Sequence, residues 1–186
     1  MQGEAEAATR TRPNVLITGT PGVGKSATAS LIAESTGMTH LNVGEIVKEH
    51  KCYEGRDAEF DSLILDEDKL LDTMEQMLTT AAEEGTGVVV DFHSCEIFPE
   101  RWFDLVLVLR ANTTVLFDRL KERGYSDKKR NENMECEIMQ IVLDEAKASY
   151  EAEIIQEVPS NTLEELESNV ARVSQWTKQW IADNGS

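Results

Sequence analysis

Residues Gly19 to Ser26 have the types and spacing of a phosphate-binding loop. The segment consists of Gly, any four residues and Gly-Lys-Ser, and it follows the apolar run 15–17. Glycines let the backbone approach a phosphate closely, so that successive N–H groups form an anion nest at the positive end of the next helix. Lys25 would reach the β- and γ-phosphates, and Ser26 would offer its hydroxyl to Mg²⁺. The sequence predicts nucleotide binding, and the alternative is a glycine-rich turn without a ligand.

Asp91 is the candidate acid for holding a metal ion. Phosphoryl transfer requires positioning and charge neutralisation, and Asp91 follows the apolar run 88–90, where a Walker-B carboxylate belongs. The alternative is an Asp that caps the following turn. His93 would orient a water or a carboxylate, with a structural histidine as the alternative. His40 and His50 lack such a context, and we interpret them as structural or surface residues.

Arg123 is the candidate cation for the transferred phosphate. It precedes Gly124 and opens the polar stretch 125–133, which we interpret as an exposed, mobile flap. An arginine carried by a closing flap can stabilise transition-state charge and exclude water. The alternative is a basic residue at a helix C-terminus. Weaker candidates are Lys48, Arg101 and Arg110, and the cations expected on the solvated face of the flap are Lys128, Lys129 and Arg130.

The hydrophobic pattern around these residues alternates between strands and helices. Apolar runs predict strands at 14–18, 39–43, 88–91 and 105–109, and a short last strand within 157–161. Helical spacing predicts helices directly after the phosphate loop, at 44–50, at 66–84, at 113–123, over about 135–156 and from Thr162 onwards. Residues 51–63 lack a clean period and are predicted to be an insert. The order predicts an α/β fold, a three-layer, doubly wound, five-stranded parallel sheet with helices on both faces.

Composition and charge exclude several classes of protein. The 186 residues fit one domain with a full core, and no apolar run approaches the ~20 residues of a membrane span. The net charge of -17 opposes direct binding to nucleic acid; it is compatible with a basic protein partner, although a well-solvated surface explains it equally. Three separated cysteines suggest neither a disulfide framework nor a zinc site, and favour a reducing compartment. The polar residues 1–12 are expected to form a disordered N-terminal extension.

Seven short motifs, in order along the chain, resemble the adenylate kinase isoenzyme 6 (CINAP) family. The resemblance covers about residues 13 to 183, and such a set is far more specific than the phosphate loop alone. The motifs are Gly-Thr-Pro-Gly-Val-Gly-Lys-Ser (19–26), Asn-Val-Gly-Glu (42–45), Ile-Leu-Asp-Glu-Asp (64–68), Val-Asp-Phe-His (90–93), Phe-Pro-Glu-Arg-Trp (98–102), Arg-Gly-Tyr (123–125) and Pro-Ser-Asn (159–161).

The resemblance implies a single nucleoside monophosphate (NMP) kinase domain over 13–183, with an NMP-binding insert at about 42–65 and a lid at about 122–132. It implies transfer of phosphate from ATP to AMP or another NMP, with Mg²⁺, and also ATP hydrolysis. It further implies a nuclear and cytoplasmic protein that acts in maturation of the small ribosomal subunit (18S rRNA) through a ribosomal protein of that subunit. The implied ATP contacts are Gly22, Gly24, Lys25, Ser26, Ala27, Arg123 and Thr162. The implied metal ligands are Ser26 and Asp91, and the catalytic residues are Lys25, Asp91, His93 and Arg123.

Three departures from related kinases concern the nucleotides. The Asp-Gly-Phe-Pro-Arg motif of mainstream adenylate kinases is absent, and 98–101 matches it only loosely. Lys48 stands where some relatives have an arginine, and a lysine cannot bind phosphate bidentately. Ala27 stands where relatives often have threonine, so one side-chain contact to phosphate is lost while the backbone N–H is kept. The first two departures affect the expected efficiency with AMP and leave ATP binding in place.

Two other functions are compatible with the sequence. An ATPase switch that serves mainly as a ribosome-assembly factor, with little kinase activity, would use the same loop and an acidic surface that steers a basic partner. A kinase of another small metabolite fits the fold, but the family motifs favour nucleotides. We expect a monomer, with a dimer as the alternative, because the apolar stripe of the last helix is short and favours a core face.

Overall fold

Five parallel strands form the sheet at the centre of the protein. A computed structural model describes residues 10–59 and 62–185. Including the two strands of a separate hairpin, β3 and β4, the described residues form the strands β1 (Val15–Thr18), β2 (Thr39–Asn42), β3 (Tyr53–Asp57), β4 (Ser62–Leu65), β5 (Val88–Asp91), β6 (Leu105–Arg110) and β7 (Ile155–Pro159). The parallel sheet has the order β2-β5-β1-β6-β7, which confirms the predicted fold class.

Helices cover both faces of this sheet. They are α1 (Lys25–Thr36), α2 (Val43–Glu49), α3 (Glu67–Glu83), α4 (Thr113–Glu122), α5 (Asp127–Ile138), α6 (Ile141–Ser149) and α7 (Leu163–Asn184). Alternate residues of β1 belong to opposite cores: Leu16 joins the core with α2, α3 and α6, whereas Val15 and Ile17 join the core with α1, α4 and α7. Burial on both faces explains why the central strands are unbroken apolar runs.

Side-chain caps begin the predicted helices α3 and α7. The Asp66 carboxylate accepts a hydrogen bond from Lys69 N at 3.2 Å, and the Thr162 hydroxyl accepts one from Glu165 N at 3.1 Å. The Glu165 carboxylate in turn accepts from Asn161 N at 2.9 Å, so the capping box closes one residue before the cap. These local signals fix the start of α3 and of α7 in sequence.

An antiparallel hairpin occupies the insert for which the sequence showed no period. β3 pairs with β4, and the register shifts between Tyr53 and Gly55. The side chains of the hairpin are exposed or only half-buried, so neither strand carries the alternation of apolar and polar residues that marks a strand with one buried face. Residues 60 and 61 lie outside the described residues.

The single long helix predicted over about 135–156 is wrong. Gln140 adopts a left-handed conformation with φ 58, which ends α5 and starts α6, and a 3₁₀ turn at Ala152–Ile154 leads into β7. The larger part of the predicted flap, 125–133, is helical. The Ser126 hydroxyl caps α5 by accepting from Lys129 N at 3.2 Å. The buried residues of α5 are only Met134 and Glu137. Because residues 126–133 are charged or polar, their sequence shows no apolar face that would indicate a helix.

The predicted N-terminal extension lies mostly outside the described residues, which begin at Arg10. The Arg10 guanidinium donates to both carboxylate oxygens of Asp104, each at 2.8 Å. None of the helices in the described part of the chain is both long and apolar enough to cross a membrane.

Candidate active site

The loop between β1 and α1 has a backbone that only glycine accommodates at its centre. Gly22 has φ 97, and an added Cβ would lie 2.8 Å from Leu120 Cδ2 and 2.9 Å from Leu116 Cδ1. Gly24, at φ 98, is the N-cap of α1 and supplies no side-chain hydrogen bond. The first N–H groups of α1 therefore remain available to an anion, together with the positive end of the helix dipole.

Lys25 folds back across this loop. Its Nζ donates to Gly19 O at 2.9 Å and to Thr20 O at 3.1 Å. Burial lowers the pKa of Lys25 to about 8; the Asp91 carboxylate opposes this change, and the charge of Arg123 adds to it. A bound anion would stabilise the charged ammonium, so Lys25 is suited to binding phosphate.

A chain of hydrogen bonds connects α1 with the ends of β5 and β2. The Ser26 hydroxyl donates to Asp91 Oδ1 at 3.1 Å and accepts from Asn42 Nδ2 at 3.1 Å. The other carboxylate oxygen, Asp91 Oδ2, is bound by His40 Nε2. A hydroxyl and a carboxylate side by side are the hard oxygen ligands that Mg²⁺ prefers, so this pair fits a magnesium ion next to the phosphate loop.

The phosphate loop opens into a cleft of about 680 Å³. Its walls come from the loop, the start and end of α2, the hairpin, the segment after β5, the end of α4, and α5 and α6. Among the predicted site residues, it brings together Gly22, Lys25, Ser26, Asp91, His93 and Arg123. Other lining residues include Asn42, Lys48, Ser62, Lys129 and Glu132. The lining carries both signs of charge, with the cations Lys25, Lys48, Arg123 and Lys129 and the carboxylates Asp91, Glu96, Glu132 and Glu145.

His93 follows β5 and Arg123 ends α4, and both residues line the same cleft. Although His93 is exposed and lines the cleft, the protein atoms around its ring and the charge of Lys25 lower its pKa to about 4, so the ring is neutral at pH 7. Arg123 is the C-terminal cap of α4 and is exposed, directly before Gly124 at φ 74. A neutral imidazole ring and an exposed cation thus line the same cleft.

Three of the predicted contacts are not among the residues that line the described cleft, namely Gly24, Ala27 and Thr162. Gly24 and Ala27 lie in the loop and the first turn of α1, where their backbone N–H groups are the relevant atoms. Thr162 caps α7 with its side chain. Their roles toward a nucleotide stay predictions.

Arg119 is a structural residue of the site that the motifs in the sequence do not indicate. Its Nη1 donates to Ser160 O at 2.8 Å and to Gly22 O at 3.4 Å, and its Nη2 donates to Asn161 O at 3.2 Å. Arg119 thus joins the phosphate loop to the loop after β7. The only sequence signal is its position one helical turn before Arg123 on α4.

His40 and Asn42 were also missed as parts of the site. Both lie on β2, and their contacts with Asp91 and Ser26 depend on the pairing of β2 with β5. The sequence carries only the alternation of β2, which puts residues 40 and 42 on one face; it does not reveal that this strand pairs with β5.

Comparison with solved structures identifies the fold. A sugar kinase from a Janibacter species superposes with a TM-score of 0.56 at 16% identity, covering 90% of this chain and 95% of that one. A shikimate kinase from Bacteroides thetaiotaomicron superposes with a TM-score of 0.52 at 16% identity, covering 89% and 98%. This chain therefore shares its α/β fold with these two kinases.

Comparison of sequences identifies the family. A family model described as an AAA domain matches residues 15–140. A Dictyostelium discoideum protein named adenylate kinase isoenzyme 6 homolog is 49% identical over 175 residues, which are 94% of this chain and 97% of that protein. A Caenorhabditis elegans protein of the same name is 47% identical over 165 residues, 89% of each chain. This chain belongs to the adenylate kinase isoenzyme 6 family, and family and fold support a nucleotide kinase, a phosphotransferase.

Proposed function

We propose that this chain transfers the γ-phosphate of ATP to AMP, giving two ADP, with tolerance of other nucleoside monophosphates. The observation that carries the proposal is the 3.1 Å hydrogen bond between Ser26 Oγ and Asp91 Oδ1 in a cleft that also contains Lys25 and Arg123. Metal ligands, an anion nest and cations in one cleft are the parts that phosphoryl transfer uses.

Ser26 and Asp91 would hold Mg²⁺ in this proposal. When bound, the ion would neutralise charge on the β- and γ-phosphates of ATP. The backbone N–H groups of Gly22, Gly24 and Ala27 and the ammonium of Lys25 would bind the same phosphates. Thr162 would contact the adenine side, as the resemblance to the family implies, and Arg119 joins the two residues before it to the phosphate loop.

The acceptor would enter from the side of α2 and the hairpin, where Lys48 and Ser62 line the cleft. An oxygen of the AMP phosphate would form a bond to the γ-phosphorus as the bond from that phosphorus to the β–γ bridging oxygen breaks, releasing ADP. The phosphate of AMP is ionised at neutral pH, so no base is required. Arg123 would stabilise the charge on the transferred group, and the neutral His93 would orient a phosphate or a water.

Transfer of radiolabel tests this proposal. Wild-type protein is incubated with Mg²⁺ and ATP labelled in the γ-phosphate, with AMP, CMP, GMP or UMP added separately, and the products are separated by chromatography. Label that enters ADP when AMP is present supports the kinase. Label that appears only in inorganic phosphate, with every acceptor, contradicts it.

A second candidate function is favoured by the net charge of -17. An acidic protein attracts basic partners through its long-range field, and ribosomal proteins of the small subunit are basic. The chain would then act in the nucleus and cytoplasm as an ATPase. Its hydrolysis of ATP would change its affinity for such a protein during 18S rRNA maturation. The same phosphate loop would serve both functions.

Stimulation of ATP hydrolysis separates a specific partner from a merely basic one. Phosphate release is measured without AMP, with a purified small-subunit ribosomal protein, and with an unrelated protein of equal positive charge as the control. Stimulation by the ribosomal protein alone supports the switch. Equal stimulation by both proteins, or by neither, removes its support.

A further inference from the structure

His40 makes a hydrogen bond that the proposed kinase reaction does not yet explain. Its Nε2 binds Asp91 Oδ2, while Asp91 Oδ1 accepts from Ser26. The side chain of Asp91 is only 6% exposed and that of His40 is 23% exposed. Asp91 lines the described cleft and His40 does not. His40 therefore contacts Asp91 outside the space that the substrates would occupy.

The sheet register accounts for this contact. Asn42 is opposite Asp91 in the pairing of β2 with β5, and His40 is opposite Val89, so residues 40 and 42 share one face of β2 with these partners. Asn42 lies against Ser26, and its own Oδ1 accepts from Glu45 N at 3.0 Å as the cap of α2. One edge strand therefore supplies a partner to each of the two residues that would hold the metal.

Counting donors shows what His40 contributes. A carboxylate only accepts hydrogen bonds, so the proton in the bond to Asp91 Oδ2 belongs to His40 Nε2. Without that donor, Asp91 keeps the 3.1 Å bond from Ser26, and its buried second oxygen loses this partner. Held by one bond alone, the carboxylate would then be free to rotate about its bond to Cβ, so that its oxygens are no longer fixed next to Ser26.

We propose that His40 is a positioning residue that fixes the Asp91 carboxylate for metal binding, and this inference rests on the proposed function. Residues that hydrogen-bond to a metal ligand without binding the metal themselves contribute about 10- to 100-fold to metal affinity. His40 is thus expected to set the affinity for the metal in the presence of nucleotide, and to have little influence on the nucleotide alone.

Binding of Mn²⁺, measured by electron paramagnetic resonance with adenosine 5′-(β,γ-imido)triphosphate present, tests the inference without turnover. His40→Met keeps a side chain of similar length without the donor, and His40→Gln keeps a donor. We expect His40→Met to weaken Mn²⁺ binding about tenfold or more and His40→Gln to restore most of it. Affinity for the nucleotide in EDTA should stay within about twofold of wild type in both. His50→Gln, at an exposed histidine, is the matched control and should match wild type.

Two results would overturn the inference. The first is Mn²⁺ binding by His40→Met equal to that of wild type, including the case in which only its melting temperature falls. The second is an equal loss of nucleotide affinity with and without metal, which would indicate a general distortion. Wild-type protein that binds Mn²⁺ but transfers no label to AMP would contradict the kinase proposal alone, and the difference between His40→Met and His40→Gln would still support the positioning role.

Discussion

The guanidinium of Arg110, at the end of β6, forms an ion pair with the buried carboxylate of Glu137 in α5. The side chain of Glu137 is 6% exposed and that of Arg110 is 20% exposed. Arg110 Nη2 also donates to Glu137 O at 3.0 Å, so two contacts tie the sheet to a helix that forms one wall of the cleft. From the sequence alone, Arg110 is only a weak candidate for binding phosphate, whereas the structure shows it in a buried ion pair.

Replacing Arg110 should destabilise the protein strongly. Arg110→Leu leaves the Glu137 carboxylate buried without its cation, and breaking a buried pair in this way costs about 3 kcal/mol or more. Arg101→Leu is the matched control, because Arg101 pairs with Glu75 at the surface, at side-chain exposures of 62% and 55%, and should cost less than about 1 kcal/mol. Urea denaturation measures both. Equal losses in the two variants would show that the Arg110 pair is no stronger than a surface pair.

Lys25 should make stability depend on pH. Its pKa is about 8 in the folded protein against 10.5 as the ordinary value, so between these pH values the folded state binds fewer protons than the unfolded state. Titration of this lysine therefore increases the free energy of unfolding as the pH rises between these two values. Lys25→Met removes the effect. We expect this variant to lose ATP binding and to exceed wild type in stability at pH 7 by on the order of 1 kcal/mol.

Denaturation of wild type and Lys25→Met at several pH values between 7 and 10.5 checks this prediction. The stability advantage of Lys25→Met should shrink as the pH rises, because the lysine of the wild type becomes neutral. Lys48→Met, at an exposed lysine of the same cleft, should show no such trend. An advantage that does not vary with pH would contradict the lowered pKa.

Gly22 should tolerate no side chain. Gly22→Ala combines a positive φ of 97 with a Cβ within 3 Å of Leu120 and Leu116. Strain and overpacking together are expected to cost about 2 kcal/mol or more of stability, and displacement of the loop should weaken ATP binding at least about tenfold. Gly85→Ala, at φ 73 with open space around it, isolates the backbone effect and should cost only about 1 kcal/mol. ATP affinity equal to wild type in Gly22→Ala would rule out a tight loop at this position.

Arg123 should act on turnover more than on binding. Its exposed guanidinium lines the cleft, and a cation that stabilises the transferred phosphate contributes mainly in the transition state. Arg123→Ala is expected to lower kcat about 100-fold or more and to change the affinity for ATP by less than about fivefold. Lys121→Ala, an exposed cation of the same helix, is the control. Unchanged turnover in Arg123→Ala would leave Arg123 as an ordinary helix-end residue.

Local patterns in the sequence were sufficient for the sheet and the phosphate loop. The apolar runs of β1, β5 and β6 are buried on both faces, and Asp66 and Thr162 cap helices where they were expected to. These features depend on neighbours within about four residues, which a single sequence displays directly.

Elements whose boundaries depend on tertiary contacts were harder to predict. The break at Gln140 carries no glycine or proline, and α5 buries so little apolar surface that its sequence resembles a solvated loop. The hairpin formed by β3 and β4 has no fully buried side chain among its described residues, so no alternation marks it. In each case the missing signal is one that only packing supplies.

Contacts between distant residues account for the remaining differences at the site. His40 and Arg119 contact Asp91 and Ser160, which lie 51 and 41 positions away in the sequence. A single sequence does not reveal such pairs, whereas the residues of the phosphate loop are consecutive and were found at once.

Asp91 is proposed to hold the metal for transfer of phosphate from ATP to AMP. This proposal is tested most directly by the ADP formed from ATP and Mg²⁺, with and without AMP, by wild type, Asp91→Asn and the control Asp118→Asn at an exposed position of α4. We predict that wild type and Asp118→Asn form two ADP for each ATP consumed, and only when AMP is present. The rate of Asp91→Asn should be lower by a factor of about 100 or more. Unchanged turnover in Asp91→Asn would contradict the role of Asp91. Release of inorganic phosphate by wild type at the same rate with and without AMP would contradict the transfer to AMP.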